Sequence, residues 1–344
     1  MKQKAPVVKK EEPKKVEKKK KVSLVDERRS QNINICLRKI GLDPLDIVDA
    51  METYNETVLT LSNCELLEGI LPKKEENEKV EAFNGNTEDL DEPSQFILLI
   101  GGLIGYQERI HTIIFQNNFD DDYEIIIEEI TRFLTIFKWL KEDEKFKEWL
   151  KIIMAFGNYI NGNTFRGGAL GFEFESLGLL IDVKNKDNSM NLLQYIVKFI
   201  HDNLKRDDLF DIIPKLKEFD QMQFDSITES SKSIKKEFDS MTSLKELVEK
   251  NKDQLGEEDQ SEKYLSKCYD DIKKNVEEIN KKIEEIETSY KELLNFFGQN
   301  PKKEIDVFIK CFRKFCEELE KANEWYEALK KKREKEEKYK KKKF

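Results

Sequence analysis

Histidine is nearly absent from this chain, with His111 and His201 the only two in 344 residues. Its five cysteines, Cys36, Cys64, Cys268, Cys311 and Cys316, are odd in number, scattered, and include no CxxC pair. These shortages exclude a zinc site of ordinary ligand spacing and a disulfide framework, so reduced thiols and no metal or cofactor are expected. Seven prolines and fourteen glycines are few, and no period-two alternation of apolar residues survives at useful length. Barrels and sandwiches are thereby disfavoured, and the expected fold class is all-α. Long apolar runs are missing as well. The longest uncharged stretch of note, Pro93 to Gln107, has 15 residues and three glycines, short of the roughly 20 apolar residues that a spanning helix needs. No apolar segment follows the amino-terminal lysines, so no secretory signal is expected and the reading is cytoplasmic.

Charge is what the chain has in quantity: 38% of residues are Asp, Glu, Lys or Arg, for a net charge of -9. Residues 1–22 hold ten lysines against three glutamates, and residues 330–344 hold nine lysines and Arg333 against three glutamates, so each end carries +7. The body between them is left at -23. A body this acidic excludes a broad nucleic-acid surface. The first 22 residues read as a basic linker or arm without hydrophobic period, and 330–344 as a basic tail, helical or disordered. Such runs are ordinarily solvated; the sharper reading is an electrostatic contact with an acidic polymer or a membrane.

Between the ends the pattern is helical. Ile33, Cys36, Leu37 and Ile40 stand at i, i+3, i+4 and i+7 on a helix stopped by Gly41. Further helices are expected over 44–54 and 60–71, then mostly loop over 73–93. Helices follow over 94–117, 121–140 and 144–160, then around 174–180 and 190–204. Leu265, Tyr269, Ile272, Val276, Ile279, Ile283, Ile286, Tyr290 and Leu293 alternate in steps of four and three, a coiled-coil seam. Such a seam either pairs two chains or closes its own domain. After a break at Phe296 to Pro301, a last helix runs from about Lys303 into the tail.

Chemistry is harder to place. Six of the fourteen glycines fall between Gly157 and Gly178, but a P-loop requires GxxxxGK[ST] between strand and helix, and here Gly167 is followed by Gly168 and Ala169 after a helix. No histidine or lysine is tied by spacing to an acidic pair or a cysteine, so no general acid, base or nucleophile stands out and an enzyme is not expected.

The glycine region is nonetheless specific. Gly157-Asn158-Tyr159-Ile160-Asn161, then Arg166-Gly167-Gly168-Ala169-Leu170-Gly171-Phe172, then Leu177, Asp182, Lys184, Asp187, Asn188, Leu192, Leu193 and Tyr195 resemble the signature of the formin homology 2 domain. Other landmarks follow in order: Arg29 to Ile33, Leu71-Pro72, Glu92 to Phe96, and Phe296-Phe297-Gly298. The resemblance spans roughly residues 23–325. It implies an elongated multi-helix fold with a knob at about 23–115 and post and coiled-coil regions at about 116–329. It also implies a module that binds actin at the filament barbed end, nucleates filaments and governs their elongation, without enzymatic activity. In the family a lasso bearing tryptophan wraps the partner's post, to which Gly157, Asn158, Tyr159, Asn161, Arg166, Gly167, Gly171 and Phe172 would contribute a receptacle for an aromatic anchor.

Two actin contacts carry over by position. An exposed isoleucine matches Ile35, with Ile33 the alternative. Ile33 shares the face of Cys36, Leu37 and Ile40, whereas Ile35 lies about 200° round the helix. A lysine after the glycine loop matches Lys184, with Lys186 two residues on. No tryptophan precedes Trp139, so pairing through a lasso is not expected of these residues, and a homodimer is left open. Nor do seven scattered prolines make a profilin-binding segment. Two further readings are a monomeric or heterodimerising inhibitory module and a coiled-coil scaffold that has lost actin binding.

Overall fold

The computed structural model describes residues 21–342. Among them, regular structure is helical, apart from the isolated bridges Val22–Leu90 and Lys184–Asn191. The expected basic arm lies almost wholly outside the described residues. No helix among the described residues is long and apolar enough to cross a membrane. The chain divides into two compact units, one of residues up to Asn117 with Ser240–Cys268, the other of Asn118–Asp239 with Tyr269 onward.

The first unit opens on α1 (Glu27–Ile40), α2 (Pro44–Thr53) and α3 (Leu61–Glu68). Asp26 caps α1 by accepting from the Arg29 amide at 2.9 Å, and Gly41 ends it with φ of 75°. Ile33, Leu37, Ile47, Met51, Phe96 and Ile97 form its core. The expected loop over 73–93 is overturned in part, for α4 (Lys74–Glu81) lies within it. This helix has a single buried apolar residue, Val80, too little to show a period. It is held instead by polar contacts. Glu76 accepts from the Lys73 amide at 2.9 Å and pairs with Arg29 at 2.8 Å, while the same guanidinium donates to the carbonyls of Gly69, Ile70 and Leu71.

α5 (Glu92–Gly101) and α6 (Tyr106–Glu142) correct the expected helices over 94–117 and 121–140. The interruption falls where Gly105 adopts φ of 67°, a conformation that favours glycine. α6 then continues without a break through 118–120, where Phe119 is buried.

In the second unit, α7 (Glu144–Asn161), α8 (Leu192–Phe199), the short α9 (Ile213–Leu216) and α12 (Ile305–Lys342) surround an aromatic core. Phe312 stands within 5.1 Å of Phe174, Phe219 and Phe308, centroid to centroid. The expected helix over 190–204 is α8 followed by a π-helical turn, Ile200–Leu204. The expected segment at 174–180 is 3-10 rather than α.

Two more long helices are α10 (Phe224–Lys250) and α11 (Ser261–Phe296). α11 carries the heptad seam, and Leu265, Ile272, Val276, Ile279, Ile286, Tyr290 and Leu293 are buried within this one chain. The seam therefore closes the chain's own core. Tyr269 meets Phe238 of α10 with ring centroids 5.3 Å apart, and Tyr290 meets Phe308 at 5.4 Å.

Candidate functional site

α7 begins on Asp143, whose carboxylate accepts from the Phe146 amide at 2.7 Å. Its period places Phe146, Trp149 and Ile153 in the core. Ile152, Phe156, Tyr159 and Ile160 of the same helix line an apolar groove of about 730 Å³. Its other wall is built by Tyr195 and Phe199 of α8 and by the hairpin carrying Val183, Lys184 and Met190. Phe156 packs edge-on against Tyr195 and Phe199 at 5.7 and 5.3 Å. Leu204, in the π-helical turn, also lines the groove.

The glycine loop folds back on α7 through one side chain. Asn158 donates from Nδ2 to the Ala169 carbonyl at 2.9 Å and accepts from the Ala169 amide at 2.8 Å. Gly167 is required by space, since a Cβ there would stand 2.6 Å from the Asn161 carbonyl oxygen, and Gly168 by its φ of 70°. At Gly157 and Gly171 a Cβ would meet nothing within 4 Å. The loop displays Phe165 at 93% and Leu170 at 98% exposure, beside Tyr159 at 85%. Arg166 lies over the Phe165 ring at 5.4 Å.

Two residues that the sequence reading missed hold the loop's far end. Gln299 donates to the Phe172 carbonyl at 3.1 Å and accepts from the Phe174 amide at 3.0 Å. Lys303 reaches Glu173 at 3.0 Å and Glu175 at 2.5 Å. Burial pushes the Glu175 carboxyl up, but the Lys303 ammonium outweighs it and holds the group below its ordinary value. Their only sequence signal is adjacency to Phe296-Phe297-Gly298, because the contacts span more than a hundred residues.

The hairpin is fixed by backbone and side chain together. Leu192 donates to the Val183 carbonyl at 2.8 Å, Asn185 to the Met190 carbonyl at 3.1 Å, and Asn185 Nδ2 to Ser189 Oγ at 3.0 Å. Lys184 and Lys186 are both exposed on it, and Lys184 also lines the groove beside Tyr159 and Ile160. In the first unit, Ile35 is 56% exposed while Ile33, the alternative contact, is fully buried in the core and offers no surface.

Sterics at the loop give a paired prediction. Gly167→Ala is expected to lower stability by about 1–3 kcal/mol, because backbone must move to admit the methyl. Gly157→Ala, in a helix interior with open space over it, is expected to raise stability by up to about 1 kcal/mol. Urea unfolding of the two variants beside the parent chain checks both signs.

Compared with known protein families, the chain matches the Formin Homology 2 Domain over residues 1–320. Among curated proteins it is 27% identical to Formin-H of Dictyostelium discoideum over 336 residues, covering 95% of this chain and 30% of that protein. It is 33% identical to Formin-like protein 1 of Mus musculus over 183 residues, covering 52% and 17%. With Formin of Gallus gallus it shares 35% identity over 190 residues, covering 54% and 16%. The chain thus spans between 16% and 30% of the length of these relatives.

Proposed function

Because the chain belongs to the formin homology 2 family, we propose that it binds actin at the barbed end of the filament, promotes nucleation and governs elongation. The observation that carries this reading is Ile35. It is an isoleucine 56% exposed on a helix whose neighbours Ile33 and Leu37 are core, and an apolar side chain held off the core face is suited to anchor an interface. Lys184 supplies the second contact. An exposed cation on an otherwise acidic body favours approach to an acidic partner, acting on orientation and on-rate more than on total affinity.

The groove and the glycine loop serve as the receptacle for an aromatic-bearing segment of a partner chain. Its apolar lining, the exposed Tyr159 and the open space over Gly157 support that role. The seam buried within one chain favours an actin-binding module over a coiled-coil scaffold. No step of this function forms or breaks a covalent bond.

Seeded actin assembly across a titration of the purified chain tests the reading. Barbed-end growth is expected to change at substoichiometric protein. Ile35→Ala is expected to weaken barbed-end binding by about 2 kcal/mol, and an unchanged dissociation constant would remove Ile35 as the anchor. Lys184→Asp is expected to slow assembly with helix content intact, and full activity in that variant would reject the second contact.

A further inference from the structure

One face of α2 is left uncovered among the described residues. Ile47, Ala50 and Met51 turn to the core, and at 100° per residue Leu45, Val48, Asp49 and Glu52 lie together on the opposite side. Leu45 is 65% exposed. Further along the same face, Val48 and Glu52 line a groove of about 340 Å³, with Leu98, Leu99 and Leu103 beside them and Leu255 contributed by the segment that joins α10 to α11. All of these residues belong to the first unit. The volume falls at the small end of ligand clefts, which run to roughly 300–1,000 Å³.

Glu52 is the odd group in this lining. Its side chain is half-buried, and among the described residues its carboxylate makes no hydrogen bond or ion pair. Arg109 favours its ionised form but is committed to Asp259, while Asp49 and Glu258 add like charge. Without a further cation, burial and Asp259 push the Glu52 carboxyl up. A carboxylate set among leucines is best satisfied by a cation with an aliphatic body, which is the chemistry of lysine.

The chain carries such a segment itself. Residues 1–20 lie outside the described structure, and Ala5-Pro6-Val7-Val8 is their one run of adjacent apolar residues, followed directly by Lys9 and Lys10. The described chain starts at the helix that lines the groove. Val22 donates to the Asp89 carbonyl at 2.8 Å and accepts from the Asp91 amide at 2.9 Å, and Asp91 is the N-cap of α5. Leu98 stands about 10 Å further along that helix, at 1.5 Å per residue. The 13 residues between Val8 and Val22 span up to about 45 Å when extended, enough to round the helix and reach the groove.

We propose that the chain's own segment from Lys4 to Lys10 docks in this groove, with Val7 and Val8 against Leu98, Leu99 and Leu103 and the ammonium of Lys9 or Lys10 at Glu52. Charge complementarity sets the polarity, since the arm is basic where this face of α2 is acidic. The short tether holds the segment at an effective concentration of about millimolar order, so two valines and one ion pair suffice. It also favours the chain's own arm over that of a second copy.

The test is hydrogen exchange read by mass spectrometry on the full chain at several protein concentrations. Amides of residues 252–260, beside the groove, are expected to exchange about tenfold faster in the double variant Val7→Ser, Val8→Ser than in the parent, as the loss of two buried aliphatic side chains implies. Lys9→Glu with Lys10→Glu is expected to do the same, and adding Glu52→Lys to that variant is expected to restore parental protection. The substitutions in the arm fall outside the described residues, so they decide the matter even where Glu52→Lys disturbs the first unit. Equal exchange in the parent and the double serine variant would overturn the proposal. So would a charge swap that keeps parental helix content and recovers no protection. Protection that rises with protein concentration would overturn it as well, assigning the groove to the arm of a second copy.

Discussion

Replacing Asp259 by alanine is expected to destabilise the first unit by about 3–5 kcal/mol, the cost of leaving a buried charge without its partner. That charge is Arg109, whose side chain is fully buried and whose Nη2 lies 2.5 Å from Asp259 Oδ2. The guanidinium also donates to the carbonyls of Ile104 at 2.8 Å and Met51 at 3.3 Å. Arg109 cannot discharge itself by deprotonation, so the truncated chain must admit water or open. Substituting both partners, Arg109→Met with Asp259→Leu, is expected to recover only part of the loss, because the two carbonyls then lose their donor.

The pair also sets an acid limit. Burial pushes the Asp259 carboxyl up, but hydrogen bonds from Arg109 and Ser261 outweigh it and hold the group below its ordinary value. A folded-state pKa below the unfolded one gives stability that is present above roughly 3.9 and is lost as pH falls through the lowered folded value. Glu52 acts with the opposite sign. Burial first and Asp259 second raise its carboxyl, so its ionisation opposes folding at neutral pH and the unit gains as pH falls through that raised value. Urea midpoints from pH 7 to pH 2.5 should therefore fall only in the acid part of the range, and Asp259→Asn should flatten that fall.

The second large effect is expected at Trp149, on the core face of the helix that builds the groove. Its indole is fully buried, donates from Nε1 to the Leu209 carbonyl at 2.8 Å, and stands edge-on to Phe210 at 5.5 Å. Trp149→Ala removes the ring and leaves that carbonyl unpaired, for a loss of about 3–5 kcal/mol. Trp149→Phe keeps most of the apolar contact and forfeits the hydrogen bond, for about 1–3 kcal/mol. Denaturant midpoints separate the two. Barbed-end activity should fall with the alanine variant if the groove takes part, since Phe156 and Tyr159 ride on the same helix.

Helices with a strong apolar period were legible in the residues: α1, α2, α7 and α11 lie within a few residues of where 3.6-residue spacing puts them. The helical period likewise separates Ile33, in the core, from Ile35, on the surface. α4 was not legible, because one valine sets no period and its stability comes from Arg29, forty-seven residues away from Glu76. The α5–α6 break was misplaced because three nearby glycines look alike until one of them adopts positive φ. α10 was not placed at all. The groove was hidden for a different reason: Phe156, Tyr195 and Phe199 have the spacing of ordinary core residues, and only the packed structure shows that their shared face is left open.

α12 has a mechanical consequence. It is one unbroken helix of 38 residues, about 57 Å of rod at 1.5 Å per residue, with Phe308, Phe312 and Phe315 inside the core and Lys330 to Lys340 exposed. Tension applied to that exposed stretch meets no hinge in the backbone. Asp202, held by Tyr326 and Arg333, takes the load first; beyond it the aromatic layer resists in shear, many contacts at once. A load on that stretch is thereby shared out before it reaches the surfaces at the root of the rod.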